Sequence, residues 1–130
     1  MFMKYNALIK ATDSNIEEEV KIEINGVELT GFVDSFPYGI NIGGYYPVEI
    51  GITVLDDLEL KEIDQPVKEI EQIGEGFAYF IRGELDGDRL NSAVIFQDDE
   101  WFQEYSYLAG KYVEIMVDRI SIEFLEEDLQ

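Results

Sequence analysis

Glu19-Val20-Lys21-Ile22-Glu23-Ile24-Asn25-Gly26-Val27-Glu28-Leu29-Thr30-Gly31-Phe32-Val33 is the stretch on which the fold of this chain turns. Val20, Ile22 and Ile24 alternate with charged residues, and the alternation resumes at Val27, Leu29 and Val33. A period of two puts every second side chain on the same side of a strand. Asn25-Gly26 between the halves is the preferred pair for a type I′ reversal, whose two central residues both need positive φ. A two-residue loop there opposes Ile24 to Val27 and Ile22 to Leu29, so the apolar residues of both strands share one face. The segment predicts an antiparallel hairpin with an apolar wall and a charged one.

The same alternation continues outward from this hairpin. Phe77, Tyr79, Ile81 and Leu85 precede Asp86-Gly87-Asp88-Arg89, and Leu90, Val94 and Phe96 follow. A type II′ loop at Gly87-Asp88 opposes Leu85 to Leu90, Ile81 to Val94 and Tyr79 to Phe96. Between Tyr46 and Ile63, Val48, Ile50, Ile52, Val54, Leu58 and Leu60 keep one phase. A hairpin about Asp56-Asp57 would scramble those faces, so one long strand bent or bulged near Asp56 is expected. Residues 3–12 are expected to form a further strand. In 111–124 the apolar phase moves by one between Val117 and Ile120. A bulged strand is preferred there to a hairpin at Asp118-Arg119, because arginine is a poor residue for positive φ.

Two short helices are expected. Asp98-Asp99-Glu100 precedes Trp101, Phe102, Tyr105, Leu108 and Ala109 at helical spacing, and Gly110-Lys111 supplies a stop. Pro66 suits a first helical position, Val67, Ile70 and Ile73 share a helical face, and Gly74 would end it. The sum is a mainly β chain: a small, strongly bent antiparallel sheet of about seven strands closing into a partly open barrel, with one or two short helices. Over residues 45–124 the order strand, hairpin, strand, helix, strand resembles that of OB-type barrels, a likeness of shape that carries no functional residue across. Residues 1–130 are expected to form a single domain, with 125–130 a frayed acidic tail.

Composition narrows the chemistry. The chain has no cysteine and no histidine, which excludes disulfides, thiolate nucleophiles, Ser-His-Asp and Cys-His catalysis and the commonest transition-metal ligand. Nine Lys and Arg stand against 29 Asp and Glu, a formal net charge of −20, so nucleic acid is disfavoured as a partner. No apolar run is long enough for a membrane span and no signal pattern opens the chain, so a cytoplasmic location without membrane contact is expected. Self-repulsion among the acids predicts a melting temperature that rises between low salt and about 0.2 M NaCl. A flat or falling melting temperature over that range would contradict it.

Adjacent acid pairs number seven, against about six for random placement, and none has EF-hand spacing, so no metal or other cofactor is expected. Asp56, Glu114 and Asp118 are the acids considered for paired-carboxylate hydrolysis, but rim and bulge positions explain them more simply, and no enzyme is expected. Arg82 and Arg119 lie in strands and are expected to pair with cross-strand carboxylates rather than hold an anion. The candidate binding residues are Phe36, Tyr38, Tyr45 and Tyr46, in the Gly- and Pro-rich loop 36–47, where flat rings can form a contact surface at low entropic cost. The competing reading is that these rings close the barrel end. The leading functional expectation is a non-catalytic acidic interaction domain that docks a basic protein, as an inhibitor or neutraliser would. The alternative is a small-molecule or carbohydrate-binding barrel using the aromatic loop.

Overall fold

The Asn25-Gly26 reversal is present in the structure, a computed structural model that describes residues 3–37 and 39–125. Asn25 takes φ 51° and Gly26 φ 82°, and the strands on either side pair Ile22 with Leu29 and Ile24 with Val27. All four side chains face inward; Ile22 and Ile24 are wholly buried and Leu29 is 1% exposed.

The described residues form β1 (Met3–Thr12), β2 (Glu19–Ile24), β3 (Val27–Phe32), β4 (Tyr45–Thr53), β5 (Glu59–Glu62), β6 (Glu69–Gln72), β7 (Tyr79–Asp86), β8 (Arg89–Asn91), β9 (Ile95–Gln97), β10 (Tyr112–Val117) and β11 (Arg119–Phe124). One sheet closes as a five-stranded barrel in the order β1-β2-β3-β11-β4. Every pair in it is antiparallel except β3 with β11, which run parallel and meet at Phe32 and Ser121. The second sheet has the order β5-β10-β7-β8-β9, with β6 also on β7. The strand count and the division into two sheets differ from the seven-strand expectation. The OB-like order expected within 45–124 is not found in that span, which contributes only β4 and β11 to the closed barrel.

The sheets are joined by a kinked two-stranded ribbon. β4 pairs with β11 and β5 pairs with β10, so each long strand leaves one sheet and enters the other. At the joint, residues 54–58 stand against Val117 and Asp118. The Asp118 carboxylate accepts the Leu55 N–H at 2.7 Å, and the Asp118 N–H donates to Thr53 O at 3.0 Å. The bend expected near Asp56 and the bulge expected near Asp118 are thus one feature, large enough to end both strands. Neither site is a hairpin.

Other expectations are corrected. Residues 66–73 are not helical: β6 pairs Ile70 with Ile81 and Gln72 with Tyr79. A strand puts Glu69 and Glu71 on one face, where both reach Arg82; on a helix, residues two apart diverge. The second hairpin keeps Leu85 opposite Leu90 but is short, because β8 ends at Asn91 and Phe96 pairs with Leu90 instead of Tyr79. β6 occupies the part of β7 that Val94 and Phe96 were expected to cover. The helix after Asp98 is a 3-10 helix, Phe102–Leu108, broken at Tyr105, with the Asp98 carboxylate accepting the Glu100 and Trp101 N–H groups. Its Phe102 is wholly buried, and Trp101 and Tyr105 pack on the core. The acidic tail lies outside the described residues except for Leu125.

Tyrosine hydroxyls tie the two sheets together. Tyr5 Oη, on β1, accepts the Ile95 N–H of β9 at 3.0 Å. Tyr79, 3% exposed, accepts the Thr30 N–H at 2.8 Å at the seam where β3 leaves β11. Replacing Tyr79 by phenylalanine removes the acceptor of a buried N–H, and a loss of about 1–3 kcal/mol is expected. The measurement is the urea midpoint at unchanged slope; a loss under about 0.5 kcal/mol would show that this bond does not hold the seam.

Candidate functional site

The outward face of the second sheet follows from strand period. Val113, Ile115, Val117, Ile81 and Leu85 point inward and are buried, so their neighbours point out. The registers place Glu114 beside Lys61 and Arg82, and Arg82 beside Glu69. The result is a row of alternating charge, Lys61, Glu114, Arg82 and Glu69, across four strands. Alongside runs a second row, Glu59, Met116, Phe80 and Glu71, apolar in the middle and acidic at both ends.

Arg82 organises this face. Its Nε donates to Glu114 at 2.6 Å and its Nη1 to Glu69 at 2.8 Å and Glu71 at 2.9 Å, and its guanidinium carbon lies 5.3 Å from the Phe80 ring centre. Arg82 and Glu114 are 18% and 14% exposed, whereas Glu69, Glu71 and Lys61 are 55%, 60% and 70% exposed. The central pair therefore carries most of the electrostatic strength and the rim pairs little. Burial by itself raises the Glu114 carboxyl, but hydrogen bonds from Arg82 and Lys61 outweigh it and hold the group below the usual carboxylate range. Burial likewise pulls Arg82 down, and Glu114, Glu71 and Glu69 more than reverse it. Beside the row lies a depression of about 530 Å³ lined by Leu58, Tyr105, Phe80 and Met116, with Glu59 and Glu114 also on its wall.

The loop residues expected to bind are not gathered into one surface. Phe36 and Tyr46 are half-buried, and both rings meet Phe124, at 5.9 Å and 6.3 Å between centres. The Tyr46 hydroxyl also accepts the Asn41 N–H at 2.9 Å, which folds the loop back on itself. Tyr45, one residue along β4, points the other way and is 63% exposed. Tyr38 lies outside the described residues. Among the hydrolase candidates, Glu114 belongs to the charged row and Asp118 to the ribbon joint.

Sequence reasoning missed a cleft of about 720 Å³ between residues 32–37 and 119–125. Arg119 lines it, with its guanidinium 3.9 Å from the Phe32 ring centre. The expectation of a cross-strand carboxylate fails for Arg119: register sets Thr53 opposite it, and no described carboxylate reaches it. Thr53 Oγ1 and Ser121 Oγ, on the same outward face, lie 2.5 Å apart. Only the parallel β3–β11 contact brings Phe32 here, and a pairing so distant in sequence leaves no local signal.

The model of the family described as "Uncharacterised conserved protein UCP019853" matches residues 3–125. No curated protein and no solved structure matches the chain.

Proposed function

We propose, from the premise that the chain belongs to this family of uncharacterised conserved proteins, that it is a non-catalytic interaction domain whose second sheet docks a basic protein. The outward face of β5, β10, β7 and β6 carries this reading. Five carboxylates, Glu59, Glu69, Glu71, Glu84 and Glu114, stand there against two cations, Lys61 and Arg82. Its middle is apolar, with Met116 38% exposed beside Phe80. A lysine or arginine side chain suits such a surface, its stem on Phe80 and Met116 and its head among the glutamates. The net charge of −20 would speed encounter with a cationic partner.

We read the barrel order β1-β2-β3-β11-β4, with β3 and β11 parallel, as OB-like closure, with the second sheet inserted between the fourth and fifth barrel strands. In OB barrels that connection is one of the binding loops, which is an analogy of position only. The alternative use of the aromatic loop is less well supported, since Phe36 and Tyr46 are half-buried on Phe124.

The test is retention from a lysate of the encoding organism on immobilised wild-type protein, on a Glu59→Lys/Glu71→Lys variant and on a Glu17→Lys/Glu28→Lys control of equal charge. The expected result is a basic protein held by wild type and control, lost by the face variant and released by about 0.5 M NaCl. Equal loss from both variants, or no basic protein retained, would refute docking on this face.

A further inference from the structure

We propose that the cleft between β3 and β11 binds a small hydroxylated carboxylate, of the sugar-acid class, with Arg119 as its anchor. The inference does not rest on the docking face, which lies on the other sheet.

Arg119 stands out by contrast with Arg82. The chain carries 29 acids, and Arg82 takes hydrogen bonds to three of them. Arg119 takes none, and its Nε is buried without a hydrogen-bond partner among the described residues. A buried donor left unsatisfied is destabilising, more so when the group is charged, so a strand that keeps this arginine without a carboxylate partner holds a cation ready for an anion from outside. Phe32 covers one face of the guanidinium and fixes its plane, which leaves the edge for recognition. The fork of a guanidinium, its two Nη groups, matches the two oxygens of a carboxylate.

The neighbours select the rest of the ligand. Thr53 and Ser121 offer hydroxyls that donate or accept. Asp34 and Glu123 also line the cleft; they accept hydrogen bonds from ligand hydroxyls and repel further negative charge. A single carboxylate on a hydroxylated frame satisfies both groups, whereas a phosphate dianion meets more repulsion from the two acids. The volume of about 720 Å³ falls in the range of small-molecule sites.

The experiment follows the arginine Nε–H resonances of the ¹⁵N-labelled protein at constant ionic strength. Arg82, Arg89 and Arg119 are the only arginines, and an Arg119→Lys sample identifies the third signal by its loss. Sodium glucuronate is expected to move the Arg119 signal with millimolar affinity, leaving Arg82 and Arg89 in place, and Ser121→Ala to weaken that response several-fold. Glucose and inorganic phosphate are expected to move it far less. An Arg119 signal unmoved by about 50 mM glucuronate would overturn the proposal. So would an equal response to glucose, or a stronger one to phosphate.

Discussion

Gly83→Ala is expected to destabilise the fold by about 3 kcal/mol, the upper end for overpacking. One edge of β7 pairs with β10, and the other is shared between β6 at residues 79–82 and β8 at residues 84–86. Gly83 sits where the two partners meet. A methyl group there would lie 2.3 Å from Asn91 O, 2.8 Å from Asn91 C and 3.0 Å from Ser92 Cα. These are backbone atoms, which cannot swing aside as a side-chain tip can. The Ser92 hydroxyl closes the same joint, 2.6 Å from Arg82 O and 3.2 Å from Glu69 O, and displacing β8 would pull it out of reach. Urea unfolding measures the loss as a lower midpoint. A change under about 1 kcal/mol would mean that β8 moves freely and that the joint is not fixed by Gly83.

Arg82→Met is expected to lower stability at neutral pH by about 2–3 kcal/mol, somewhat below the 3–5 kcal/mol typical of breaking a fully buried pair. The variant keeps an apolar stem over Phe80 but leaves Glu114, 14% exposed, with only Lys61 at 3.3 Å. It also sets Glu69 and Glu71 beside Glu114 without the cation between them.

The loss should depend on pH. Glu114 lies below its ordinary value in the folded protein, so the stability it supplies is fully present above the unfolded carboxylate range. That contribution is lost as pH falls through the folded value. The variant lacks the Arg82 share of it from the start and keeps only what Lys61 supplies, and relief of general acid repulsion affects both proteins alike. The difference between them should therefore shrink from about pH 5 downward. A difference that stays constant from pH 7 to about pH 3 would show that packing, not charge, explains the loss.

What could be read from residues alone was what local chemistry specifies. Asn25-Gly26 states its own backbone requirement, and Val20 to Leu29 state their own burial, so turn, register and inner face all followed. The phase slip between Val117 and Ile120 marked a real break, although no neighbour in sequence reveals that the strand changes sheets there. Pro66 to Gly74 satisfied helix rules locally and still forms a strand, because pairing Ile70 with Ile81 and bringing Glu69 and Glu71 to Arg82 outweighs propensity. The charged face of the second sheet had the same limit: each acid was visible, but rows built across β5, β10, β7 and β6 exist only once the registers are known. Arg119 was expected to find a carboxylate in so acidic a chain, and register set Thr53 opposite it instead.

The most direct test of the docking face is a ¹⁵N–¹H titration of the protein with deca-lysine at low salt. Docking on the second sheet predicts that the largest shifts fall at Leu60, Phe80, Glu114 and Met116, and that they fade together as salt is added. Shifts of equal size at Glu17, Glu23 and Glu28 on the barrel would show attraction to charge in general and contradict it.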